Sequence, residues 1–208
     1  MVKVFVIYYS TYGHVAKLAD TIAKSAATVA GVDVKLWQVA ETLSDDILGK
    51  MHAPAKKAEV PVIQAADLAE ADAFLIGFPT RYGAFPSQVK ALFDATGGLW
   101  SKGALVGKPF GFFTSTGNLG GGQETTIQSA LSFVVHHGGI FVPVGYTSPL
   151  LFDNSEPRGG SPWGPGTFTN GDGSRQPSEK ELQITTEFGV HFSKIARDLA
   201  AGRAANSK

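Results

Sequence analysis

Cysteine, net charge and long apolar runs are all missing from this chain. Its 208 residues include no Cys, and 18 Lys and Arg balance 18 Asp and Glu. Without thiols there are no disulfides, thiolate nucleophiles, Cys-ligated zinc sites or Cys-held iron–sulfur clusters. Zero net charge gives no global pull toward nucleic acid or an anionic membrane. No apolar run approaches the roughly 20 residues that span a bilayer, and no N-x-[ST] glycosylation acceptor occurs. Polar Ser10–His14 follows the short apolar run at the amino terminus, which does not suit a signal peptide. The expectation is a cytoplasmic protein with no integral membrane segment and no nucleic-acid partner.

Hydrophobic residues make up 43% of the chain and charged residues 17%, which suits one folded domain. Residues 3–9 form a near-continuous β-branched and aromatic run, the mark of a strand buried on both faces. Val15, Leu18, Ala19, Ile22, Ala23 and Ala26 then fall on one helical stripe. Further strands are read at 32–39, 72–79, 109–115 and 140–144, with helices after Pro86, around Ile127–Val135 and from Leu182 on. Residues 40–66 read as an insertion with little regular structure. The Gly- and Pro-rich stretch 145–178 reads as a long functional loop. Alternating strands and helices imply a parallel sheet covered on both faces. The fold class is α/β, a flavodoxin-like doubly wound five-stranded sheet of order 2-1-3-4-5, whose ligand sits at the carboxyl ends of the strands. The domain is read as 1–202, with 203–208 as a tail.

Three chemically unusual loops should converge there. The first, Ser10, Thr11, Tyr12, Gly13, His14 and Val15, lies between strand and helix. Its hydroxyls and the free amides of a helix start can surround a phosphate; Ser10 and Thr11 acting only as helix caps is the competing reading. It contains no Lys and is neither a Walker A nor a G-x-G-x-x-G loop, which favours a terminal phosphomonoester. The second, Pro79, Thr80, Arg81, Tyr82 and Gly83, offers donors and a flat aromatic face. The third, Ser115, Thr116, Gly117, Asn118, Leu119, Gly120 and Gly121, lets backbone amides approach a ligand closely. A phosphate nest, an aromatic wall and a donor-rich rim are together what FMN requires.

The segments YYSTYGH, PTRYG, DATGGLW (Asp94–Trp100), STG..GGGQE, HHG (His136–Gly138), PVGY, RGG (Arg158–Gly160) and GDGSRQPSEKEL (Gly171–Leu182) run along nearly the whole chain. In this combination it resembles the WrbA-type NAD(P)H:quinone oxidoreductases, tetrameric flavodoxin-like FMN enzymes. The resemblance implies two-electron reduction of quinones by NADH or NADPH through FMN, in a homotetramer built as a dimer of dimers. It implies that Ser10–Val15 hold the phosphate, that Thr80–Tyr82 line the ring, and that Ser115–Gly121 meet the ring and ribityl chain. It also places His136 at the flavin's polar edge, Tyr12 at the nicotinamide, and Trp100 as a wall of the quinone pocket contributed across a subunit contact. Tyr82 stands where Phe is common in that family.

No carboxylate pair or Ser–His–Asp set is evident, so no side chain is expected to be catalytic in its own right. Adjacent His136 and His137 diverge by about 100° on a helix and cannot chelate one ion from one face. His52 and His191 lack partners at ligand spacing, and no metal is expected. His137 and Trp37 read as structural, Asp94 as a helix-end residue, and Arg175 as part of a surface turn or a subunit contact. A one-electron carrier and a flavin-poor scaffold or regulatory protein are the competing functions. Balanced charge disfavours the first, and the intact phosphate and glycine loops disfavour the second.

Overall fold

The computed structural model describes residues 1–206. Strands β1 (Val2–Tyr8), β2 (Val32–Gln38), β3 (Ala73–Pro79), β4 (Pro109–Thr116) and β5 (Ile140–Phe141) form a parallel sheet in the order 2-1-3-4-5. Helices α1 (His14–Ala26), α2 (Asp45–Lys50), α3 (Ser87–Asp94), α4 (Gly97–Ser101), α5 (Gln123–His136) and α6 (Glu179–Asn206) complete the chain, with 3-10 turns at Ala65–Glu70 and Pro149–Phe152.

The sheet is buried on both faces because its inner strands are apolar at consecutive positions. Val4, Val6 and Leu75 pack beneath α1 and α6, against Leu18, Ile22, Phe188 and Phe192. Phe5, Ile7, Phe74, Ile76 and Phe112 face the other way, onto α3 and α5 through Leu92, Phe93, Ile127 and Val134. Each such side chain contributes about 1.5–3 kcal/mol on full burial. On that second face, Phe93 and Phe133 stack with ring centroids 3.8 Å apart.

Three expectations bear on the elements found. The final strand does not run through Val144. Val142 and Val144 are buried, and the Val142 amide still donates to Phe110 O. Pro143 has no N–H for a ladder, however, and the chain leaves the sheet after Phe141. It returns as a sixth strand, β6 (Gly166–Phe168), parallel to Thr114–Thr116 of β4. The place beside β4 is thus shared by two short strands, and the segment between them is carried to the carboxyl edge. Second, the insertion has little regular structure, as expected, apart from the short α2, started by Asp45 and Asp46 and capped by Ser44. Third, α6 continues through Asn206 where a tail was read from 203; residues 207–208 of that tail lie outside the described residues.

Close packing between β3 and β4 depends on Gly77. A Cβ there would lie 1.9 Å from Cε2 of Phe113, a ring fully buried in the core. Gly77→Ala is expected to lower stability by ~1–3 kcal/mol through overpacking, read as a shift in the urea midpoint. An unchanged midpoint would contradict this packing.

Candidate functional site

The site grows from the exit of β1. Ser10, Thr11 and His14 are buried in the turn that reverses the chain into α1. Gly13 adopts φ +95°, a conformation that strains other residues, and a Cβ on it would meet nothing within 4 Å. The space before the helix is therefore open. Among the described residues, no side chain caps α1 and no acidic residue sits in its first turn. The Ser10 hydroxyl instead accepts from the Gly13 amide at 3.0 Å, one residue short of the helix. The amides of α1 itself are thus left without a side-chain partner. The first amides of α1 have no intrahelical partner and sit at the positive end of the helix dipole.

The second loop is tied to β4 by Thr80 N donating to Ser115 O at 2.8 Å. It delivers what the phosphate loop's own sequence lacks: Arg81 Nη2 donates to Thr11 Oγ1 at 3.0 Å, placing a guanidinium beside that loop. Ser10, Thr11, Tyr12, His14, Val15, Pro79, Thr80, Arg81, Ser115, Thr116 and Gly117 converge on one cavity of about 650 Å³. That size falls within the range of roughly 300–1,000 Å³ typical of small-molecule sites. The residues present fit FMN. Open amides and hydroxyls suit its phosphate, Tyr12 gives an aromatic surface, and the chain at Ser115–Gly117 is close enough to line a ribityl group.

Several expected residues do not line the cavity. Tyr82 is fully exposed at φ 55°, and Gly83 donates its amide back to Thr80 Oγ1 at 3.1 Å. Asn118, Leu119, Gly120 and Gly121 turn away, with Thr116 Oγ1 donating to Asn118 O at 2.7 Å. Trp100 and His136 lie at the opposite edge of the sheet. The 14 residues of α5 carry His136 about 20 Å from the start of that helix, and Trp100 Nε1 donates to His136 O at 3.0 Å. Within one chain neither meets the cavity. His137 has the structural part expected of it. Thr96 Oγ1 donates to Phe93 O, so it accepts from His137 Nε2 at 3.0 Å. Burial, with a smaller contribution from His136, lowers the pKa of His137. Asp94 pairs with Lys90 on α3.

Other lining residues were not singled out from sequence. Met51 and His52 come from the end of α2, where Tyr12 OH donates to Met51 O at 3.2 Å. Thr169–Gly173 and Gln176 close the far side. The peculiarity of GDGSRQPSEKEL was the available signal for these, and Arg175 in that motif folds onto its own chain.

A second layer supports the phosphate loop from the insertion. Lys56 Nζ donates to Ser10 O at 2.7 Å and pairs with Glu41 at 3.2 Å. Tyr9 OH and Gln88 Nε2 each donate to Glu41 at 2.9 Å. Burial pushes the Glu41 carboxyl up, but the Leu43 amide, Gln88, Tyr9 and the Thr42 amide outweigh it and lower it from 4.5 to about 2. Burial pushes the Tyr9 phenol up to about 12. A depressed carboxyl stabilises the fold fully above its unfolded value, and that contribution vanishes as pH falls from 4.5 to about 2. Glu41→Gln is therefore expected to be less stable than the parent at neutral pH, with the gap closing across that window. A gap that stays constant in urea titrations down to the acid limit would contradict the assignment.

Comparison with known proteins agrees with this fold. Residues 2–149 match the family described as NADPH-dependent FMN reductase. The chain is 53% identical over 198 residues to the quinone-oxidoreductase QR2 of Triphysaria versicolor, covering 95% of this chain and 96% of that protein. It is 49% identical over 202 residues to the NAD(P)H quinone oxidoreductase YCP4 of Candida albicans, covering 96% of this chain and 70% of the relative. Among solved structures it is similar to the flavodoxin, WrbA-like protein from Agrobacterium tumefaciens. The TM-score is 0.65 at 24% identity, covering 95% of this chain and 99% of the other. With that family match, and with relatives about half identical along nearly its whole length, this chain belongs to the NADPH-dependent FMN reductase family.

Proposed function

We propose that this protein is a WrbA-type, FMN-dependent NAD(P)H:quinone oxidoreductase that reduces quinones to hydroquinones with NADH or NADPH as co-substrate. The observation that carries the reading is the uncapped amino end of α1, opening with buried hydroxyls into a cavity walled by the loops after β3 and β4. Relatives about half identical to this chain and named quinone oxidoreductases support it.

FMN, when bound, supplies hydride acceptance from a nicotinamide and hydride donation to a quinone, which also takes one proton from water. The chain's own residues bind and orient. Ser10, Thr11, His14 and Val15, on the turn made at Gly13, would hold the phosphate, with Arg81 as the nearby cation. Tyr12, Pro79 and Thr80 would bound the ring, and Ser115, Thr116 and Gly117 the ribityl chain, while Gly83 and Asn118, outside that lining, would brace the two loops through Thr80 and Thr116. The fixed amides of these loops would stabilise negative charge developing in the site without reorganising.

The reading includes a homotetramer, a dimer of dimers, in the cytoplasm, where reduced nicotinamide nucleotides are maintained. Trp100 is 60% exposed on α4 beside His136, far from its own cavity. We assign both residues to the cavity of another copy, where the indole would wall the quinone. Among the described residues, no helix is long and apolar enough to cross a membrane.

FMN-loaded protein mixed anaerobically with NADH or NADPH is expected to lose its yellow colour and regain it on adding a benzoquinone. One hydroquinone should form per nicotinamide oxidised. Bleaching by dithionite alone would contradict the reading and favour a one-electron carrier. The same preparation is expected to sediment as four chains; a monomer would remove the assignment of Trp100 and His136.

A further inference from the structure

The far wall of the cavity, Thr169–Gly173 with Gln176, has no regular secondary structure, yet its two ends are fixed by a buried charge. Glu181 lies in the first turn of α6, and its side chain is 0% exposed. Its carboxylate accepts from Gly159 N at 2.6 Å, Thr167 Oγ1 at 2.8 Å, Ser178 N at 2.8 Å and Arg175 Nη1 at 3.0 Å. The Ser178 contact is ordinary helix capping, returned by Glu181 N donating to Ser178 Oγ at 3.2 Å. The other three donors come from outside the helix and are not needed to start it.

Arg175 completes the clamp. Its Nη1 also donates to Phe168 O at 2.8 Å, its guanidinium lies 3.7 Å from the Phe168 ring centroid, and its amide donates to Thr169 O at 3.0 Å. Thr167–Phe168 on one side of the wall and Arg175 on the other are thus tied to one carboxylate. The wall between them reaches two of the three ligand loops. Thr169 N donates to Thr116 O at 2.9 Å, and Gln176 Nε2 lies 3.4 Å from Nε2 of His14, the first residue of α1.

We infer that Glu181 and Arg175 are positioning residues that hold this wall over the phosphate end of the cavity. The inference rests on the FMN reading above. A wall held beside His14 keeps water from the amides at the start of α1, where a lower local dielectric strengthens each bond to a phosphate dianion. A carboxylate buried this deeply needs all its donors, so removing the charge or the guanidinium releases the wall. The consequence is graded: a flavin with a phosphate loses more affinity than one without it.

The test compares FMN with riboflavin, which has the same ring and ribityl chain but no phosphate. Binding is followed by quenching of flavin fluorescence in the wild-type protein and in Glu181→Gln, Arg175→Met and Arg175→Lys. Circular dichroism identifies the variants that fold, and Arg175→Met carries the test if Glu181→Gln does not fold. FMN affinity is expected to fall about tenfold or more in Glu181→Gln and Arg175→Met, with riboflavin affinity within about twofold of wild type. Arg175→Lys is expected to recover part of the loss. Equal loss for both flavins, or unchanged FMN affinity in the folded variants, would overturn the inference. Wild-type protein that binds FMN no more tightly than riboflavin would overturn it as well. Wild-type protein that prefers FMN yet fails to pass electrons from NAD(P)H to a quinone would sink the proposed activity and leave this inference standing.

Discussion

Free amides at the start of α1, left without any side-chain cap, are the interaction around which the carboxyl edge of this sheet is arranged. A helix start buried without partners carries a cost, and most proteins meet it with a Ser, Thr, Asp or Asn at the cap. Here the nearest hydroxyl, Ser10, is turned to the Gly13 amide instead. Every neighbouring segment then takes its position from that opening. Lys56 grips Ser10 from behind, Arg81 approaches Thr11 from the side, and Gln176 reaches His14 from across the cavity. The helix start and its surroundings make a ready phosphate site only because these three distant parts of the chain leave it open.

The sheet makes that convergence possible. Both faces are packed with apolar side chains, so its parallel strands all end at one edge and the loops after β1, β3 and β4 meet there. Division of the last sheet position between β5 and β6 adds a fourth participant. Pro143 ends the pairing of β5, and the chain re-enters beside Thr114–Thr116, next to the ligand loops. The segment leaving β6 becomes the far wall of the cavity. Stability and site construction therefore share the same residues: Thr116 is a buried strand residue, lines the cavity and anchors Thr169.

Features set by local periodicity were legible in the sequence. The stripe Val15, Leu18, Ile22 and the uninterrupted apolar strands gave the alternating order and hence the 2-1-3-4-5 sheet. Features set by contacts between distant residues were not. Ser10–Val15 contains no Lys or Arg, and the cations beside it come from afar: Arg81 lies 70 residues from Thr11 and Lys56 lies 46 from Ser10. Val142 and Val144 looked like strand because burial, not pairing, selects their type. Strand β6, three residues long, is too short to show a period. Tyr82, expected at the ring from its residue type and from the resemblance, is fully exposed at φ 55° and lies outside the cavity lining of its own chain. In the Ser178–Glu181 pair the helix-start pattern is visible, but the donors from Gly159, Thr167 and Arg175 appear only once the chain is folded.

The central claim is that the uncapped start of α1 binds the phosphate of FMN as its dianion. Phosphorus NMR of the protein–FMN complex tests this directly. A free phosphomonoester takes up its second proton with a pKa of about 6, so its resonance moves as pH is lowered through that value. Held by helix amides and shielded by the far wall, the bound phosphate is predicted to keep its dianion resonance from about pH 8 down to about pH 5, on both sides of that value. A bound resonance that titrates as free FMN does would contradict the account.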